Sequence, residues 1–154
     1  MKQRPTWDEY FMEIATVAAK RSTCLRRAVG AVIVRDNHII STGYNGSPKG
    51  TPHCQETGCI RKLNDIPSGT RHEFCRGSHA EINAIAQAAS VGTTTSGATL
   101  YCTHQPCAFC AKAIINAGIK KIIYAHPYPD EIGSKLLKEA GLELREFRFK
   151  PATK

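Results

Sequence analysis

Apolar and polar positions change period several times along the chain, and each change marks an element. Thr6-Trp7-Asp8-Glu9 has the form of a capping box, with a hydroxyl at the cap and a carboxylate three residues later. Trp7, Phe11, Ile14, Ala15 and Ala18 then follow helical spacing, which predicts a helix to about Arg21. Residues 28–35 and 38–44 read as strands joined at Asp36-Asn37, a two-residue hairpin turn. Between Gly46 and Ser78 there is little periodicity, and so long a loop inside a compact domain calls for a function or a staple. Beyond it, helices over 79–90, 106–116 and 130–140 alternate with apolar strands over 98–103 and 121–125, and 142–149 alternates as a last strand. A hairpin followed by strands alternating with helices predicts an α/β fold whose mixed sheet is covered on both faces. No repeat or interdomain linker interrupts it, so one domain is expected over 1–154.

Composition narrows the function classes. The 154 residues are 42% hydrophobic and 22% charged, as in an ordinary soluble globule. No window approaches the roughly 18 apolar residues of a spanning helix. The charged N-terminal residues are not followed by the apolar stretch of a signal peptide. A cytoplasmic protein without a membrane partner is expected. Lys and Arg number 21 against 13 Asp and Glu, a net charge of +8 that favours an acidic partner such as a phosphorylated small molecule or a nucleic acid. From Gly77 to Ala111 there is no Lys or Arg, so that stretch does not grip phosphate with cationic side chains. Seven cysteines, an odd number without a secretory leader, point to metal binding or catalysis rather than to disulfides.

His79-Ala80-Glu81 and Pro106-Cys107-Ala108-Phe109-Cys110 carry the chemistry, each where a loop or strand feeds a helix start. Cys107 and Cys110, three apart, can turn both thiolates to one point, and His79 would be a third zinc ligand. The fourth tetrahedral position would stay open for water, as in a catalytic site. Glu81 lies about 200° round the helix from His79, off the ligand face and suited to carry a proton from that water to a ring nitrogen. A lone C-x-x-C is often a structural zinc knuckle or a redox pair. Here both halves of the zinc nucleobase-deaminase signature, H-x-E then P-C-x-x-C, appear in order.

With HAEINAI, PCAFCAKAIINAGIKKIIYA downstream and VGAVIV and IISTGYNGSP upstream, the chain resembles the deoxycytidylate (dCMP) deaminase family of the cytidine deaminase superfamily. It also resembles the bacterial late-competence proteins of that family, beginning with WDEYFM and RSTC. The resemblance implies a three-layer α/β/α sandwich around a mixed five-stranded sheet, conversion of dCMP to dUMP and ammonia, and a homo-oligomer, a hexamer in the family. It implies a catalytic zinc on His79, Cys107 and Cys110, with Glu81 as proton shuttle. Asn45 would bond the sugar hydroxyl, Tyr128 would lie near the sugar-phosphate, and Ala80 would contact substrate. Arg26 is the candidate for the phosphate, with Lys49, Arg71 and Arg76 as competitors. Ser90 stands where members regulated by dCTP and dTTP often carry a cation, and Pro129 where some relatives carry a basic residue.

Cys24, Cys54, Cys59 and Cys75 stand apart from that motif. A structural zinc would close the long loop onto the strand near Cys24, and the resemblance implies such a second zinc. Cys59 and Cys75 would complete Cys24 and Cys54, with His53 and His72 as substitutes. The alternative is four reduced, partly buried thiols. Cys102 is expected to be a small core residue. Rival functions are a tRNA adenosine deaminase, a deaminase of another small ring, and a competence accessory module. The length of the cysteine-rich loop argues against the first, leaving nucleic acid outside the expected partners. An intact Glu81 argues against the last.

Overall fold

The computed structural model describes residues 3–150. Met1, Lys2 and 151–154 lie outside the described residues, so the domain expected over 1–154 is seen without its ends. Helix α1 (Trp7–Ala19) begins at the expected capping box, with Thr6 N–H donating to Glu9 Oε2 at 2.7 Å and Glu9 N–H to Thr6 Oγ1 at 3.2 Å. Strands β1 (Gly30–Arg35) and β2 (His38–Tyr44) form the hairpin. Asp36 and Asn37 both take positive φ (51° and 60°), the pair of left-handed residues that matches the strands' twist.

Segment 46–78 holds two single-turn helices, α2 (Cys54–Thr57) and α3 (Ile60–Leu63), and one 3-10 turn at His72–Phe74. Then follow α4 (Ala80–Ser90), β3 (Thr99–His104), α5 (Ala108–Asn116), β4 (Lys121–His126), α6 (Glu131–Glu139) and β5 (Glu143–Glu146). The strands form one mixed sheet in the order β2-β1-β3-β4-β5, antiparallel from β2 to β3 and parallel from β3 to β5.

Alternation along the strands sends side chains to two cores. Ala31, Ile33, Leu100, Cys102 and Ile122 face the layer of α4, α5 and α6, while Val32, Val34, Tyr101 and Ile123 face α1 through Phe11, Met12 and Ala15. The last strand is shorter than the expected 142–149. Just past it, Phe147 N still donates to Tyr124 O at 2.7 Å while its ring buries in the α1 core, and Arg145 pairs with Asp8 at 2.6 Å. Gly43 sets the height of α4 over the sheet: a Cβ there would lie 2.2 Å from Ala80 O and 2.5 Å from Ala84 N.

Candidate functional site

The starts of two helices, α4 after the long loop and α5 after the central strand β3, bring the candidate residues together. His79 is the N-cap of α4 and Cys107 the N-cap of α5, each in extended backbone and neither spending its side chain on the cap. Cys110, in the first turn of α5, is fully buried. The expected helix starts at 79 and 106 therefore shift inward, and both leading ligands sit at cap positions. His79 Nδ1 stands 3.5 Å from Cys107 Sγ and 3.3 Å from Cys110 Sγ. A tetrahedral zinc with its usual bond lengths holds such donors roughly 3.5–3.8 Å apart, so the three fit the metal. Among the described residues this is the cluster with all donors within 4.8 Å, and Glu81 stands outside it.

Without metal, one of the three donors leans toward its ligating form, while His79 is raised by its hydrogen bond to Cys107. A hydrogen bond from Cys110 draws the Cys107 thiol down to about 4, while Cys110 is pushed up by the same partner and by burial. Glu81 is 4% exposed, and burial raises its carboxyl above the ordinary range. Cys102, expected only to fill the core, also borders Glu81: burial first, and then the carboxyl, push its thiol well up.

Asp130 braces the ligand hairpin from behind. Its Oδ1 accepts from Gly133 N at 2.7 Å, capping α6, and its Oδ2 accepts from Ala108 N at 2.8 Å, one residue past Cys107. The two helices meet closely here, since a Cβ on Gly133 would lie 3.0 Å from Ala108 N and 3.1 Å from Cys107 C.

A cavity opens over the cluster and takes in Ala80, Asn45, Arg26 and Tyr128, as expected. Asn45 is largely engaged: its Oδ1 accepts from Ser22 Oγ (2.6 Å) and Val29 N (2.9 Å), and its Nδ2 donates to Arg27 O (2.8 Å). One amide N–H remains for a ligand. Tyr128 lies beneath the Arg27 guanidinium, 5.5 Å from its ring centre, and its hydroxyl abuts Gly69 of the long loop. Of the competing cations, none of Lys49, Arg71 and Arg76 lines the cavity. Lys49 is exposed, Arg71 pairs with Glu73 at 2.5 Å, and Arg76 Nη1 donates to Pro52 O at 2.6 Å.

Arg27, beside Arg26 ahead of β1, joins the wall, and residues that the sequence did not single out complete it: Arg61, His104 and Gln105. His72, offered as a substitute ligand for the second zinc, instead stands edge-on to His79 with ring centres 5.2 Å apart. Cys24, Cys54, Cys59 and Cys75 line the same cavity and are neighbours. After burial, the nearby Cys59, Cys75 and Cys24 push the Cys54 thiol up. No three of them reach the 4.8 Å spacing of the His79 cluster, and all are free thiols. His53, the other substitute, is an exposed cap residue of α2 outside the cavity wall.

Fold and site together define a zinc-site α/β protein of the nucleobase-deaminase type. The family model for the cytidine and deoxycytidylate deaminase zinc-binding region matches residues 5–126, and the chain belongs to that family. It is 44% identical over 147 residues to a deoxycytidylate deaminase of Schizosaccharomyces pombe, covering 94% of this chain and 45% of that protein. It thus spans less than half the length of that relative. It is 43% identical over 149 residues to ComE operon protein 2 of Bacillus subtilis, covering 94% of this chain and 72% of the relative. The crystal structure of dCMP deaminase from the cyanophage S-TIM5, in complex with dCMP and dUMP, superposes with a TM-score of 0.78 at 31% identity, over 95% of this chain and all of that one. Its likeness bears out the expected mixed five-stranded sheet between helical layers.

Proposed function

We propose that this chain is a zinc-dependent hydrolase that converts dCMP and water to dUMP and ammonia. The observation that carries it is the His79–Cys107–Cys110 donor cluster with the buried Glu81 carboxyl beside it, outside the ligand set, at the base of a cavity lined by arginines. A zinc ion held by those three residues would supply a Lewis acid and a water activated near neutral pH. Glu81 takes the proton of the attacking water and places it on the pyrimidine ring nitrogen beside the reacting carbon, then passes a proton to the departing ammonia. Its raised pKa suits this work, because the carboxyl holds a proton nearer neutrality than an exposed glutamate does. The spare N–H of Asn45 donates to the sugar hydroxyl, Ala80 lies against the base, and Arg26 and Tyr128 take the phosphate side.

A second, structural zinc on Cys24, Cys54, Cys59 and Cys75 belongs to the same reading. Four neighbouring thiols around an aperiodic loop support it. A homo-oligomer, a hexamer as in the resembling family, and a cytoplasmic location belong to the reading as well. No helix among the described residues is long and apolar enough to cross a membrane. Exposed Leu25, Ile60, Leu63, Phe109 and Ile132 offer apolar surface to neighbouring copies.

The test is ammonia release from zinc-loaded protein given dCMP, deoxycytidine, guanine and adenosine-containing tRNA. dCMP should lead the panel. Glu81→Ala should retain one catalytic zinc and lose about 10²–10⁴-fold or more in rate. Near-wild-type turnover by that variant, or a preference for tRNA, would refute the reading.

A further inference from the structure

Besides Arg27, which stacks over Tyr128, two arginines reach the cavity from different parts of the chain: Arg26 from the segment before β1, and Arg61 from α3 in the cysteine-rich loop. Consecutive carbonyls tie them side by side. Arg26 Nη2 donates to Ile66 O at 2.5 Å and Arg61 Nη2 to Pro67 O at 3.2 Å. Arg61 is only 6% exposed. Its Nε and the Nη1 of Arg26 are buried and have no partner. No ion pair among the described residues includes either arginine.

Two neighbouring cations with buried, unmatched N–H groups are unfavourable unless an anion completes them. Planar guanidinium donors on a cavity wall match the oxygens of a phosphate, and two of them match its two charges. We propose that Arg61 and Arg26 together clamp the dianionic 5′-phosphate of the substrate, and that Arg61 is a residue by which the chain distinguishes nucleotide from nucleoside. The proposal rests on the deaminase reading above and adds to it the residue that reads phosphate charge. Because Arg61 is carried by the long loop, phosphate binding draws that loop onto the substrate.

The experiment compares wild type, Arg61→Gln and Arg61→Lys, all zinc-loaded, on dCMP, its singly charged 5′-methyl ester and deoxycytidine. Calorimetric binding of dUMP and deoxyuridine is measured alongside. Arg61→Gln should lose roughly 10- to 150-fold in kcat/KM on dCMP, the worth of a charge-assisted phosphate contact. It should lose less on the ester and far less on deoxycytidine, with Arg61→Lys recovering part of the difference. Equal losses on dCMP and deoxycytidine would show a structural post and overturn the proposal, as would an unchanged dCMP rate. If wild type turned over neither substrate, the deaminase reading alone would fall. The clamp would then stand or fall on dUMP affinity, weakened at least about tenfold in Arg61→Gln or unchanged.

Discussion

Asp130→Asn would isolate the contact that fixes where Cys107 stands. In the native chain one carboxylate holds two helix starts, through Gly133 N at 2.7 Å and Ala108 N at 2.8 Å. Asparagine is as good an N-cap as aspartate, so the α6 cap survives the change. The second oxygen becomes an NH₂, which turns a donor toward the Ala108 donor. Leaving that part-buried N–H unmatched and losing a charge-assisted bond costs about 1–3 kcal/mol. For a chain of this size, a loss of about 2 kcal/mol lowers Tm by roughly 4–8 °C. The metal feels it too: hydrogen-bond partners behind zinc ligands typically govern about 10- to 100-fold in affinity. Zinc affinity is measured by competition with a chromogenic chelator, and unfolding is followed with and without saturating zinc. The variant should bind zinc at least about tenfold more weakly, and added zinc should stabilise it less than wild type. If zinc stabilises the variant as much as it does wild type, Asp130 caps helices and does nothing for the metal.

Elemental analysis of zinc-loaded protein should give two zincs per chain, and one in Cys54→Ser. That variant should unfold at lower temperature and show a raised KM for dCMP with kcat largely kept, whereas Cys107→Ser should abolish turnover. A single zinc in wild type, with Cys54 freely alkylated in the native state, would remove the structural site. The His104 imidazole is pulled down to about 4 by burial first, then by Arg27 and His126, whereas an unfolded histidine titrates near 6.5. The unfolded chain therefore binds the extra proton, so this contribution to stability is full above 6.5 and is lost as pH falls toward 4. Complete burial would make it about 3 kcal/mol; a half-buried ring warrants about half that. His104→Gln should flatten the stability profile between pH 6.5 and 4 in urea unfolding, and an unchanged slope would refute the assignment.

The frame was legible in the sequence because its signals are local. The apolar run over 28–35, the Asp36-Asn37 turn and the Thr6–Glu9 box each specify structure within a few residues. His79, Cys107 and Cys110 were legible because zinc chemistry restricts ligand type and spacing. Arg61 was not. It sits in an aperiodic segment, and what makes it notable is burial with its Nε left unpartnered, set by a fold that brings residue 66 to residue 26. Cys102 was read as core, which it is. Its neighbour across the layer, Glu81, comes from a helix whose height depends on Gly43, and no pattern in 98–103 reports that. The end of the last strand was overcalled because alternation continues through Phe147 and Phe149, although the paired strand ends at Glu146 and Phe147 N makes one last bond to Tyr124 O at 2.7 Å as its ring turns toward α1.

On the proposed reading, chemistry and recognition are carried by parts of the chain with different stability. His79, Glu81, Cys107 and Cys110 stand on helices packed against the sheet, where displacement would require breaking the core formed by Leu100, Ile114 and Ile122. Arg61, Gly69 and His72 stand on a loop of single turns, with little apolar burial of its own beyond Cys54 and Cys59. Ordering such a segment costs about 1–2 kcal/mol per residue in backbone entropy, which so small a core cannot offset. The proposed structural zinc and a phosphate held from both sides would offset part of that cost. Loosening the loop should then act mainly on substrate capture and leave the proton-transfer geometry at Glu81 in place. That is why the Cys54→Ser effect is expected in KM, while Glu81→Ala is expected to act on rate.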